Sequence, residues 1–188
     1  MTVRGPADVL DLDAHAITVR ASTIAPRPLA AIWPGVLWLG KTTLVAGDPG
    51  LGKSMLTCSI AAKVSTGEPW PCASERREPA DVVMLSAEDD PEDTLVPRLI
   101  AAGADLERIT FVRGVREMTD DGPRERWLTL DRHLDQLAGA LAVKPETRLV
   151  IIDPLSAYLG STIDSHNEGD VRAVLAGLAD VAAHYRVA

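Results

Sequence analysis

The stretch that most constrains this chain is Gly47-Asp48-Pro49-Gly50-Leu51-Gly52-Lys53-Ser54, which satisfies the phosphate-binding pattern G-x-x-x-x-G-K-[ST] at every fixed position. Its flanks suit the motif. An apolar, β-prone run (Thr43, Leu44, Val45, Ala46) precedes it, and a helix-compatible segment from Lys53 to about Thr66 follows. The glycines let backbone N–H groups turn inward around a phosphate, and the helix N-terminus adds unpaired donors and the positive end of its dipole. In such a loop Lys53 reaches the β- and γ-phosphates, the Ser54 hydroxyl ligates Mg²⁺, and the nucleotide-binding run extends from Gly47 through Met55. ATP and Mg²⁺ are the cofactors this reading calls for.

Composition narrows the class. The 188 residues suit one domain, and a 46% hydrophobic fraction with only 4% aromatics puts the core on Val, Leu, Ile and Ala. The longest apolar runs are too short to span a bilayer, and Met1 to Asp13 lacks the basic-then-apolar order of a secretory signal, so the expected location is the cytoplasm and no membrane partner is expected. Cys58 and Cys72 form no metal spacing and read as structural. A net charge of −8 argues against a surface built to grip nucleic acid broadly. Any such contact must be local, transient, or made by an assembled ring.

Residues 1–28, interrupted by Pro6, Pro26 and Pro28, read as a lead-in or linker, and residues 29–188 as the domain. The Trp33 to Trp38 cluster is expected to pack on the sheet edge before the loop. After the P-loop, Met55, Leu56, Ile60, Ala61 and Val64 give a helical face that ends near Gly67. Asp81 to Ala87 reads as a buried parallel strand. Asp90 before Pro91 reads as a helix N-cap, with a kink expected at Pro97. A third strand is expected at Ile109 to Val112, a mobile loop at Arg113 to Arg126, and a helix around Leu134 to Leu141. Leu149 to Asp153 is another strand, and Val171 to Tyr185 an amphipathic helix. Strands alternating with helices predict an α/β fold with a parallel sheet, helices on both faces and a site at the strands' C-terminal ends, which with the glycine loop makes a P-loop NTPase.

Two acids follow from that topology. Four aliphatics ending in Asp153 match a strand that carries an acid toward Mg²⁺, so Ser54 and Asp153 are the candidate metal residues. The residue after Asp153 is Pro154, which closes the option of a water-activating glutamate there. Glu88, leaving the strand between the two motifs, is the alternative, although Asp89 and Asp90 share its neighbourhood and acids also favour a helix's first turn. Lys53 and Glu88 are the candidate catalytic residues.

Together the runs Leu44 to Ser54, Leu85-Ser86-Ala87-Glu88-Asp89-Asp90-Pro91, Thr94 to Arg98, Ala101 to Leu106 and Val150 to Tyr158 resemble the RecA-fold AAA-type ATPases related to RepA-type plasmid helicases. The resemblance covers about Trp33 onward. It implies that the parallel sheet is RecA-like, that Glu88 is the catalytic acid, that Asp153 is the later-strand acid, and that sites form between subunits of a homo-oligomeric ring with a cation supplied by a neighbour or a late strand. It also implies a further core strand and polar sensor beyond Ala188, so the chain is expected to be C-terminally truncated, to bind MgATP weakly and to turn it over slowly. The expected function is Mg-dependent ATP hydrolysis by a helicase-like or DNA-associated motor module in replication, mobilisation or repair, with single-stranded DNA as a possible partner. The loop Gly160 to Asn167 is where such a ring presents DNA-facing residues, yet it holds His166 and no Lys or Arg. The rival is a nucleotide-gated assembly or regulatory module with negligible turnover. No Asn-Lys-x-Asp element suggests a GTPase, and no Leu-Ser-Gly-Gly run a transporter ATPase.

Overall fold

A computed structural model describes residues 18–71, 73–119, 121–163 and 167–188. Cys72 and His166, both singled out in the sequence, lie outside these residues, as does most of the proposed lead-in.

The chain centres on a parallel sheet of three strands, β3 (Asp81–Ser86), β4 (Ile109–Phe111) and β7 (Thr147–Asp153), in the order β4-β3-β7. Parallel pairing forces crossover connections, and these place helices on both faces. Side-chain alternation sorts the two cores. Val82, Met84, Leu149 and Ile151 face α1 (Lys53–Thr66) and α2 (Val96–Ala101), burying Cys58, Ile60, Ala61, Val64, Leu95 and Leu99. Val83 and Leu85, with Val150 and Ile152 beside them, face α3 (Leu134–Ala142) and α4 (Glu168–Tyr185), whose Leu137, Leu141, Val174, Leu178 and Ala182 fill the second core. The register Met84↔Ile151 and Leu85↔Ile152 keeps like-facing residues side by side across the ladder.

Several local expectations hold for stated reasons. Helix α1 stops at Gly67, which adopts φ 68° and whose carbonyl accepts from the Arg77 amide at 2.9 Å. A Cβ on Gly67 would lie 2.0 Å from the Arg77 carbonyl oxygen, which is backbone and has no rotamer through which to move away. Gly67→Ala is therefore expected to cost at least about 2 kcal/mol, combining left-handed strain with the clash. Urea unfolding that leaves the midpoint unchanged would contradict that account. Asp90 is the N-cap, its Oδ1 accepting from the Glu92 amide at 2.8 Å. Trp33, from the small hairpin β1 (Ala31–Trp33) and β2 (Leu37–Trp38), stacks on buried Trp70 at 4.6 Å, so its role is packing.

Three expectations are corrected. Thr43 to Ala46 forms no strand. A β ladder needs a second backbone about 4.8 Å away, whereas a cleft of about 190 Å³ separates Thr43, Leu44 and Val45 from Ile152 and Asp153. Leu44 is accordingly 67% exposed. The outer side of β7 pairs instead with the chain's last residues, the Ala188 amide donating to the Arg148 carbonyl and the Val150 amide to the Ala188 carbonyl, both at 2.9 Å. The Gly40 amide then donates to the Val187 carbonyl at 2.9 Å.

The segment Arg113 to Arg126 is an antiparallel hairpin, β5 (Val115–Thr119) with β6 (Gly122–Arg126), where the sequence suggests a loop. Its alternation is hard to see because one side is almost wholly charged: the exposed pair Arg116 and Glu125 meets across the strands at 3.2 Å. The hairpin docks through Glu117, which meets the buried His133 Nε2 at 2.9 Å; that hydrogen bond holds the Glu117 carboxyl below its ordinary value. Pro97 does not interrupt a regular helix. The chain enters α2 through one wide turn, Pro91–Leu95, in which the Leu95 amide donates to the Asp90 carbonyl at 3.0 Å, five residues back.

Candidate functional site

The glycine loop leads directly into α1. Gly50 and Gly52 have φ values of 80° and 84°, a backbone region that favours glycine; Gly52 is one of the motif's two fixed glycines, and Gly50 stands at one of its variable positions. The first amides of α1 have no acceptors within the helix, the kind of donor set that suits an anionic phosphate. Lys53 folds back over the loop: its Nζ donates to the Gly47 carbonyl at 2.8 Å and to the Asp48 carbonyl at 2.9 Å. The ammonium is thus held by neutral acceptors, and among the described residues no carboxylate pairs with it. Leu51 and Met55 are 72% and 52% exposed, leaving the rim open to solvent.

Helix α1 carries this loop to the sheet edge. Ser54, at its second residue, is half-buried, and its carbonyl accepts from the Thr57 hydroxyl at 3.0 Å. The same hydroxyl lies 3.5 Å from Asp153 Oδ2, so the tip of β7 and the glycine-loop helix approach each other through Thr57. The structure does not bring the Ser54 hydroxyl into direct contact with Asp153. Thr57 escaped the sequence reading, although its position three residues after Ser54 puts it on the same helix face. Two buried groups sense the Asp153 charge. The Cys58 thiol is fully buried, and burial pushes its pKa up, with Arg98 opposing and Asp89 and Asp153 adding to the rise. The Tyr158 hydroxyl is pushed up to about 12 by burial and by the Asp153 charge. Both stay neutral at physiological pH.

The third component is the end of β3. Its register sets Ser86 opposite Asp153, and the next amide, that of Ala87, donates to the Asp153 carbonyl at 3.1 Å. Glu88, Asp89 and Asp90 follow at the same C-terminal edge of the sheet. They differ sharply in what they do: Asp90 caps the next helix, Asp89 pairs with Arg98 at 2.6 Å, and Glu88 is exposed and makes no side-chain hydrogen bond or ion pair among the described residues. Arg98 was not singled out as a site residue. It stands nine positions after Asp89, beyond a turn of irregular pitch, and helical periodicity does not announce that contact.

The residues fit the group the motif implies. Among the described residues no cluster of three or more His, Cys, Asp or Glu side chains is arranged to hold a metal alone. A cation here would draw oxygens from the nucleotide phosphates as well as from Ser54 and Asp153. No helix among the described residues is long and apolar enough to cross a membrane.

Comparison with known proteins adds the family. No curated protein matches the chain. The family model described as an AAA domain matches residues 6–188, nearly the whole chain, and spans the glycine loop, Glu88 and Asp153 alike. The chain belongs to this AAA-domain family of nucleotide-binding, ATPase-type P-loop proteins.

Proposed function

We propose that the protein hydrolyses ATP with Mg²⁺ on a RecA-like fold and serves as a helicase-like or DNA-associated motor module. The observation that carries the hydrolytic reading is the meeting of three elements at one sheet edge: the glycine loop on α1, Asp153 at the tip of β7 tied to that helix through Thr57, and Glu88 just past the strand paired with β7.

The roles follow from the chemistry of each group. Backbone amides from Gly50 to Ser54 cradle the phosphates, and Lys53 exchanges the Gly47 and Asp48 carbonyls for phosphate oxygens. Bound Mg²⁺ would supply charge neutralisation between the β- and γ-phosphates. Ser54 and Asp153 would hold it, Asp153 in the usual way through water. Glu88, the acid with no side-chain partner among the described residues, is free to orient an attacking water and accept its proton. Asp89 and Asp90 are already engaged.

Support for a nucleic-acid role is local, as the net charge of −8 demands. At the C-terminal end of β4, Phe111, Arg113, Arg116, Glu125 and Arg126 line a hollow of about 870 Å³. Arg116 and Arg126 are already paired with Glu125 and Glu117, whereas Arg113 makes no ion pair among the described residues, so the support for a single strand is one unpaired cation beside an aromatic ring. Work as a cytoplasmic homo-oligomeric ring belongs to the same reading, and rests on the resemblance to the RepA-type helicases. The test is ATP turnover by the purified protein with and without Mg²⁺ and single-stranded DNA. Magnesium-dependent hydrolysis that DNA accelerates is expected. Tight nucleotide binding with no hydrolysis under any of these conditions would replace the motor with a nucleotide-gated assembly module.

A further inference from the structure

Glu88 is poised by its neighbours, since its exposed side chain makes no hydrogen bond or ion pair among the described residues that could aim it. On its N-terminal side the Ala87 amide is tied to the Asp153 carbonyl at 3.1 Å. On its C-terminal side the Asp89 carboxylate receives Arg98 Nη1 at 2.6 Å, a short charge-assisted bond. Both partners are largely shielded, with 34% and 26% of their side chains exposed, so the pair is not a solvated surface contact. The arginine stands on a firm base: Leu95 and Leu99 of the same helical segment are 2% and 0% exposed, locked into the core against α1.

The wide turn at Pro91–Leu95 gives this contact its register. Each residue added to an α-helix rotates the following side chains by about 100°, so a turn closed five residues back swings Arg98 onto a different face from a regular helix. Pro97 has no amide to donate to the carbonyl four residues earlier, which lowers the cost of the irregular entry. The pair also borders the nucleotide helix, because the Cys58 thiol of α1 feels the charges of Arg98, Asp89 and Asp153 together.

We infer that Arg98 is a positioning residue: through Asp89 it holds the Ala87–Asp89 bend so that Glu88 faces the reacting water, and it governs the rate of hydrolysis while leaving nucleotide affinity alone. This rests on the reading of Glu88 as the water-activating acid. Releasing the clamp lets Glu88 wander by an ångström or so, and misplacement on that scale costs about tenfold to a hundredfold in rate.

The experiment is single-turnover ATP hydrolysis with protein in excess, alongside the affinity for a non-hydrolysable ATP analogue and thermal melting. R98A is expected to slow hydrolysis about tenfold to a hundredfold at unchanged analogue affinity, R98K to recover part of the loss, and E88Q/R98A to be no slower than E88Q. That last result separates aiming from bulk stability, because an unaimed Glu88 can lose nothing more once it is gone. Should R98A melt too low to assay, R98K and D89N in the E88Q background carry the same comparison. Losses that add in the double variant, or wild-type turnover in the Arg98 variants while E88Q is slow, overturn the clamp alone. Wild-type turnover in E88Q overturns the Glu88 reading and the clamp with it.

Discussion

Lys53→Ala is expected to weaken ATP binding in the presence of Mg²⁺ by tenfold to a hundredfold and to abolish detectable turnover. Charge-assisted contacts of the kind Lys53 would make are worth about 1.5–3 kcal/mol each, which sets that range. The structure sharpens the expectation. Among the described residues, Nζ donates to two neutral carbonyls alone, at 2.8 and 2.9 Å, and those weaker bonds are what a phosphate must displace. The mutation also frees the Gly47 and Asp48 carbonyls, but both lie in an exposed loop where water replaces the lost donor, so the fold should keep its melting temperature. Equilibrium titration with a fluorescent ATP analogue reads the binding term directly. Unchanged affinity in a folded variant would remove the loop from the nucleotide site.

Glu88→Gln should show the opposite pattern, retained binding with hydrolysis lowered by about 10²–10⁴-fold, the scale of general-base loss. Its neighbours supply internal controls, because the three consecutive acids are doing three different things. Asp89→Asn keeps an oxygen that can accept from Arg98 and should lose about tenfold or less. Asp90→Asn retains the capping oxygen and should change turnover little, whereas Asp90→Ala would cost about 1 kcal/mol of stability through the lost cap. Turnover equal to wild type in Glu88→Gln, with a clear loss in either neighbour, would mean that the acid was assigned one or two positions out.

The chain's sequence alone determined those features whose cause is local. The glycine loop was legible because positive φ at Gly50 and Gly52 is a property of single residues. Helix α1 was legible at both ends, since the glycine loop opens it and Gly67 closes it. The buried strands β3 and β7 announced themselves as aliphatic runs, and their acids came with them. Only the tertiary structure decided what depends on a distant partner. The run before the loop has strand-forming residues but no adjoining backbone, because β propensity acts through pairing. The hairpin β5–β6 was hidden because its exposed face is charged and its anchor, Glu117 on His133, spans sixteen residues. Above all, the sequence marks Asp90 as a helix cap but does not say which of Glu88 and Asp89 is free. That choice is made by an arginine that an irregular turn delivers to Asp89, and it is a fact of packing.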